Sequence, residues 1–416
     1  MTSVVRKITA CRLCDQTALR EHVDFGEVPL GNNLRETVEQ ARTAAAYPLN
    51  LMRCSGCGHF QLGYAVDPAL MYATNYTYLS GIGSSFVEHL ESYADWVEAH
   101  CDLPPDAVIV DVGSNDGTAL KPFAAKGFTV CGVDPASLAA RIANENGVET
   151  INAFFDADAV AEIKRRHGQA DYVTSHNVLA HVDDLAAVFR NVHDLLKDGG
   201  HFGFEIGYFR EVLRTGCFDT IYHEHLDYHH AAPLVRHLTT LGFDVLDLSV
   251  NSVQGGSLRL LSRKTGVGEV SGQAQVFLEA EQSSVLYDEP FLFSWRKMIE
   301  DTMGAFRLAL RERSDRGALI AGYGAPTKAT LLMKMAEIGG GEIAYVVEDN
   351  AYKTGRFFPG TGVAIRPTAE LDDNPPDVLV LFAWNFADDI VAKLKGRFDR
   401  PVEVVVPLPK FEIINL

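Results

Sequence analysis

The chain has 416 residues, which at roughly 150 residues per domain suggests two or three domains. A hydrophobic fraction of 47% with 22% charged residues describes a globular protein with real cores, and no apolar run approaches the ~18 residues of a membrane span. A net charge of −18 disfavours nucleic acid as a bulk partner, and seven cysteines, an odd number, argue against a disulfide framework. The first residues carry no signal-peptide pattern, so the cytoplasm is the expected location.

The first feature along the chain is a pair of C-x-x-C knuckles, Cys11-Arg-Leu-Cys14 and Cys54-Ser-Gly-Cys57, with a glycine at 58. A two-residue gap lets both thiolates of a knuckle point at one ion, and two knuckles complete a closed tetrahedral site. Structural zinc on Cys11, Cys14, Cys54 and Cys57 is therefore expected, with disulfides or redox thiols as alternatives. Gly58 needs a positive φ for the tight turn, and the long spacer must carry strands, one of them around 47–52. Four thiolates fill the coordination sphere, which leaves no open position for catalysis.

From residue 107 the pattern changes to an α/β unit. A buried strand at 108–112 runs into Gly113-Ser-Asn-Asp-Gly117, an amphipathic helix begins near Thr118, and a second strand at 128–133 ends in Asp134. Strand, Gly-rich turn, helix, strand and acid in that order form a doubly wound nucleoside-binding arrangement, in which the acid accepts ribose hydroxyls. Further strands are predicted at 171–175 and 201–206, a helix at 184–197, and a closing antiparallel pair at 243–250 and 256–263. Taken alone, the turn also suits a nicotinamide cofactor.

Residues 220–230, Thr-Ile-Tyr-His-Glu-His-Leu-Asp-Tyr-His-His, form the densest chemical segment. Histidine exchanges protons near neutral pH, so the segment reads as catalytic, as a structural polar cluster, or as a metal set on His223, Glu224 and His225. The metal reading is the weakest, since i and i+2 do not share a helical face.

The last part repeats the α/β order. A long helix at 294–313 precedes a strand from 318, a turn Gly322-Tyr323-Gly324-Ala-Pro-Thr-Lys328 and a strand at 343–347 ending in Glu348-Asp-Asn350; strands at 377–382 and 402–406 follow. The turn offers backbone N–H groups and a cation to a diphosphate. Lys353 and Arg356 could add charge. Tyr323, Lys328, Glu348, Asn350, Lys353 and Arg356 are thus the candidate substrate-binding residues, with an empty structural turn as the alternative.

Asp111-x-Gly113-x-x-x-Gly117, Asp134 and Leu-Lys-Asp-Gly-Gly200 resemble the motifs of class I methyltransferases, with Asn115 where a glycine is common. Tyr222-x-Glu224-His225 and the Tyr-rich stretch 72–78 resemble the zinc-containing nucleotide-sugar C-methyltransferases, and the resemblance extends over the whole chain. It implies a zinc module at 1–74, an S-adenosylmethionine-binding core at 75–285 and a Rossmann-like nucleotide-sugar domain at 286–416. By resemblance, Asp111, Gly113, Asn115 and Gly117 approach the donor's amino-acid end, Asp134 its ribose, Ala153 and Phe154 its adenine, and Asn177 its methyl side. His225 is the implied base, with Tyr222 and Glu224 positioning it and His181 or Tyr76 facing the ketone; Glu224 and His181 are alternative bases, and packing at a domain junction is the alternative for Tyr76. The implied reaction is methylation at C3 of a dTDP-linked 3-amino-4-keto-2,3,6-trideoxy sugar in antibiotic deoxysugar biosynthesis, as for tetronitrose, by a monomer without nucleic-acid or membrane partners. An O- or N-methyltransferase, or a non-catalytic nucleotide-sugar binder, is the alternative.

Overall fold

The computed structural model describes residues 4–72 and 79–416. Among them, no helix is long and apolar enough to cross a membrane. The expected α/β architecture is present as three main sheets.

The N-terminal sheet runs Asp227–Tyr228, Phe60–Leu62, Ala46–Cys54, Leu19–Pro29, all antiparallel. Its first strand comes from the histidine segment, far along the chain. Both knuckles converge beside this sheet, where Cys54 ends one strand and Cys57 lies in the turn leading to Phe60–Leu62. Sγ atoms of Cys11 and Cys57 are 3.6 Å apart, those of Cys14 and Cys54 are 3.7 Å apart, and all four lie within 4.8 Å of one another. Four thiolates around zinc at ~2.3 Å must sit about 3.8 Å apart, so the cluster fits the ion without rearrangement. Gly58 takes φ +85°, as the tight turn requires.

The central sheet has the order Phe243–Asn251, Ser257–Lys264, Leu196–Gly207, Ala170–His176, Val108–Val112, Thr129–Val133, Thr150–Ile151. Its last five members are mutually parallel, and Ser257–Lys264 pairs antiparallel on both sides, the closing pair expected from the sequence. The direction of winding reverses between Val108–Val112 and Ala170–His176, which opens the ligand crevice at their C-terminal ends. The helix Leu185–Leu195 is capped by Asp184, whose side chain accepts from Ala187 N, and buries Leu185, Val188, Phe189, Val192 and Leu195 on one face. The helix expected near Thr118 starts instead at Lys121. The Asp116 carboxylate takes the Thr118 hydroxyl at 2.6 Å and Gly81 N at 3.0 Å, which draws the turn toward residues 80–82 before the helix can begin.

The C-terminal sheet runs Ala364–Pro367, Tyr345–Glu348, Ile320–Tyr323, Val378–Leu381, Glu403–Val406, Glu412–Asn415, parallel except for the last strand. Its winding reverses at Ile320–Tyr323. The long helix preceding it starts earlier than expected, at Glu289, because Asp288 caps it by accepting from Phe291 N.

Because the sulfur spacing matches a tetrahedral thiolate site, metal analysis of the purified protein should return about one zinc per chain. Cys11→Ser should lower that content and the melting temperature together. A metal-free protein of undiminished stability would contradict this assignment.

Candidate functional site

In the central sheet, Gly113 and Gly117 adopt φ +75° and +79°, and a Cβ on either would collide with Val178 or Val148 respectively. These glycines give the turn its shape. Asn115 is also left-handed (φ +49°), and its side chain accepts from Ser80 N at 3.0 Å, which fastens residues 80–82 over the turn. Asp134, at the end of the second strand, accepts from Asn115 N at 2.9 Å and from Ala136 N at 2.7 Å. Asp111 is buried, its Oδ1 has no hydrogen-bond partner in the protein, and burial, with the Asp134 charge, pushes its carboxyl well up. An unpartnered buried carboxylate oxygen beside a glycine turn fits an ammonium group, which the amino-acid end of S-adenosylmethionine provides. Phe154 is exposed beyond the third strand, Ala153 is half-buried beside it, and Asn177 (φ +55°), just past Ala170–His176, donates its N–H to Glu205 O on the neighbouring strand.

The histidine segment divides into two parts with different partners. The part near Tyr222 gathers buried and half-buried titratable groups. Nδ1 of His225 lies 2.8 Å from the Thr220 carbonyl, an acceptor, so it carries the proton, and Nε2 accepts from the Tyr222 hydroxyl at 2.9 Å. The His181 ring packs edge-on against His225, centroids 4.7 Å apart. Burial pushes His225 down to about 4 and His181, with His225 beside it, to about 3, so both are neutral at physiological pH. Glu224 is buried and accepts from Asn32 Nδ2 at 2.9 and 3.0 Å. Burial pushes its carboxyl up to about 7, against the lowering effects of Asn32 and Lys353.

The remaining part is structural. His223 Nε2 reaches the Tyr47 carbonyl at 3.1 Å, Asp227 pairs with Arg12 and His59, and His230 lies between Gly58 O and Glu281. Among the described residues, the His, Cys, Asp and Glu groups close enough to share an ion are the four cysteines and the trio Cys131, Glu149 and His167. The histidine segment is not among them, because His223 turns away from Glu224 and His225. Tyr76 lies outside the described residues.

The C-terminal sheet carries a pocket of about 370 Å³ at its winding switch, lined by Tyr323, Glu348, Lys353, Phe386, Asp389 and Lys393 among others. Glu348 mirrors Asp134, accepting from Ala325 N at 2.7 Å and from Asn350 N two residues on at 2.9 Å. The Tyr323 hydroxyl donates to Asp349 at 3.1 Å and accepts from Lys393 at 3.0 Å. Lys353 donates to Ala325 O at 2.9 Å, and its charge reaches both Glu348 and Glu224. Lys353 thus links the pocket electrostatically to Glu224 of the histidine segment. Asn350 caps its own turn by accepting from Tyr352 N at 3.0 Å. Lys328, Asn350 and Arg356, three of the expected substrate-binding residues, do not line the pocket. Lys328 instead stacks its ammonium over Trp384, 3.8 Å from the ring centroid, and lies 3.4 Å from buried Asp219. The expected cation at this turn is thus engaged inside the protein, and a seven-residue helix, Ala329–Met335, follows it.

Sequence reasoning missed Asn32, Asp219, Asp389 and Lys393. Asn32 joins all three parts, giving its amide N–H to Glu224 and accepting from the Thr327 hydroxyl at 2.7 Å. No local pattern marks it, since its partners lie about 200 and 300 positions away. A larger groove of about 920 Å³ lies beside the knuckles and the helix Leu185–Leu195. It touches none of the expected donor or substrate residues.

Three family profiles match consecutive stretches: "Putative zinc binding domain" at 11–72, "Methyltransferase domain" at 86–248, and "C-methyltransferase C-terminal domain" at 252–409. The C-methyltransferase NovU of Streptomyces niveus is 31% identical over 416 residues, covering 100% of this chain and 99% of the relative. A ubiquinone biosynthesis O-methyltransferase of Ralstonia nicotianae is 35% identical over 112 residues, covering 26% of this chain and 47% of its own. Among solved structures, magnesium protoporphyrin IX methyltransferase from Synechocystis with bound SAM aligns with a TM-score of 0.34 and 17% identity, over 43% of this chain and 79% of that one.

Glu224 allows a pH test. Its folded value of about 7 lies above its ordinary 4.5, so the fold favours the protonated form. That stabilisation is complete below about pH 4.5 and is lost as pH rises through 7, about 3 kcal/mol in all. Glu224→Gln mimics the neutral acid. It should melt above the parent at pH 8.5 and with it at pH 4.5; equal melting at pH 8.5 would show that the carboxylate is not under this strain.

Proposed function

The chain belongs to the C-methyltransferase family that contains NovU, and from that premise we propose that it methylates a ring carbon of a dTDP-linked keto-deoxysugar, C3 of a 3-amino-4-keto-2,3,6-trideoxy sugar, in antibiotic biosynthesis. It is an S-adenosylmethionine-dependent enzyme with a structural zinc ion. One observation carries the substrate reading. The donor turn and the C-terminal turn are built alike, each with an acid bonded to its own turn, and the charge of Lys353 in the C-terminal pocket reaches Glu224 of the histidine segment. One site suits the donor and the other a substrate that carries its own nucleotide. In this reading the functional units are 1–74, 75–285 and 286–416. A monomer suffices, since one chain supplies every group named.

A ring C–H beside a ketone becomes acidic because the resulting carbanion spreads onto oxygen as an enolate. Thr220 fixes the imidazole tautomer of His225, so the nitrogen that would take that proton is Nε2, the one that accepts from the Tyr222 hydroxyl. Tyr222 holds this nitrogen in place and can turn its hydroxyl to the sugar as the proton arrives. His181 packs edge-on against His225 and is the neighbouring group that would meet the developing oxyanion. When bound, the donor supplies an electrophilic methyl on sulfonium sulfur. His225 would hold the abstracted proton at Nε2 while the enolate carbon takes that methyl, the C–S electron pair remaining on sulfur, and would then release the proton to water. Asp111 and Asp134 hold the donor at its ammonium and ribose, which fixes the direction of approach. Phe154 and Ala153 border the adenine, and Asn177 borders the methyl side. In the pocket Tyr323, Glu348 and Lys353 hold the nucleotide; Asn350 shapes its turn, and Lys328 and Arg356 support it from outside the lining.

Reaction with ¹³C-methyl donor and a panel of dTDP-keto sugars, followed by carbon NMR, should place the label on a ring carbon. Label on oxygen or nitrogen would overturn the proposal. His225→Asn cannot store the proton and should lose ~100- to 10,000-fold in turnover with donor affinity near that of the parent. Tyr222→Phe should lose less, because the imidazole remains.

A further inference from the structure

Arg12 stands between two ligating cysteines, yet its side chain does not face the metal site. It is almost wholly buried and reaches Asp227 and the 182–183 loop. Nε donates to both oxygens of Asp227 at 3.0 and 3.1 Å, Nη1 donates to the Asp183 carbonyl at 2.9 Å, and Nη2 donates to the Val182 carbonyl. One guanidinium thus grips two loops. The 182–183 loop begins one residue after His181, and Asp227 lies two residues after His225. The loops are also tied directly, with Leu226 N donating to Ala180 O at 2.6 Å. The grip itself is held from behind, because Arg12 N donates to Gln61 Oε1 at 2.8 Å and His59 reaches Asp227 at 2.9 Å.

His181 and His225 therefore owe their edge-on packing to two loops whose common anchor is a residue of the first knuckle. A rigid planar fork can hold a carboxylate and two carbonyls at once, which an ammonium group cannot. We infer that Arg12 is a positioning residue for methyl transfer, through which the cysteine module sets the spacing of His181 and His225. The inference rests on the reading of His225 as proton acceptor. Its consequence is that the cysteine module acts on turnover as well as on folding, since displacements near 1 Å at a reacting group cost ~100-fold in rate.

The test uses the full-length, zinc-loaded protein. Arg12→Lys keeps a charge beside Asp227 and releases the two carbonyls. It should retain about one zinc per chain and bind S-adenosylhomocysteine within about 2-fold of the parent. Its kcat should fall ~10- to 100-fold, with a KM change for the sugar nucleotide under about 3-fold. In ¹H–¹⁵N spectra of histidine-labelled protein, the His181 and His225 ring signals should shift. Should Arg12→Lys not fold, Asp227→Asn carries the same expectation, since the amide still accepts from His59. Arg6→Ala is the control: it removes an exposed ion pair to Asp183 on the same loop and should change none of these readouts. Unmoved histidine signals, equal effects of Arg6→Ala, or loss of zinc and donor binding in step with kcat would overturn the inference. Shifted signals with parental turnover would uphold the positioning and overturn the assignment of His225 as base.

Discussion

The pairing of Asp227 with Gln61 and of Tyr228 with Phe60 joins the histidine segment to the cysteine module. The position of residues 222–225, immediately upstream, depends on that short ladder. Residues 222–225 need room to meet a substrate, and such a segment left as a loop would sample many geometries. Two residues of β-pairing, the Arg12–Asp227–His59 cluster and the His230–Glu281 contact remove that freedom immediately downstream. A buried charge cluster of this kind contributes little net stability, but breaking it by removing one partner costs about 3–5 kcal/mol. It therefore specifies one arrangement of the segment against competing ones. Zinc, which a module with this small a core uses for folding, lies directly behind it.

The other side of the segment is set by the C-terminal sheet. Asp219, one residue before the Thr220 carbonyl that fixes the His225 tautomer, is wholly buried against Lys328 and Trp384, whose indole N–H donates to it at 2.5 Å. Asn32 closes the junction between Glu224 and Thr327. Groups from all three parts thus converge on about ten residues. The C-terminal pocket and Glu224 of the histidine segment share Lys353 as an electrostatic neighbour.

Much of this was legible in the sequence, and the reason is locality. Cys11 to Cys14 and Cys54 to Cys57 declare themselves by spacing alone, because a knuckle is a local geometric unit. Gly113, Gly117 and Asp134 are likewise a local strand–turn–strand requirement, and the antiparallel closing pair followed from period and turn signals. What stayed hidden depends on distant partners. Nothing in Tyr-His-Glu-His-Leu-Asp-Tyr-His-His says that His225 meets Tyr222 while His223 meets Tyr47 and His230 meets Gly58; the residue types are the same, and only the packing separates them. Lys328 looked like a free cation because Asp219, its partner, is more than 100 positions away. The strands Ala364–Pro367 and Glu412–Asn415 escaped notice because each is four residues long and lies at a sheet edge, where hydrophobic alternation is weak.

The central claim is that two nucleoside sites deliver donor and sugar to one neutral histidine pair. A crystal structure with S-adenosylhomocysteine and a dTDP-keto sugar bound together tests it most directly. The account predicts the nucleotide in the pocket of Tyr323, Glu348 and Lys353, with the carbon next to the ketone lying between the donor sulfur and the Tyr222–His225 pair and within reach of one of them. A sugar ring seated away from His225, or a nucleotide bound outside that pocket, would contradict it.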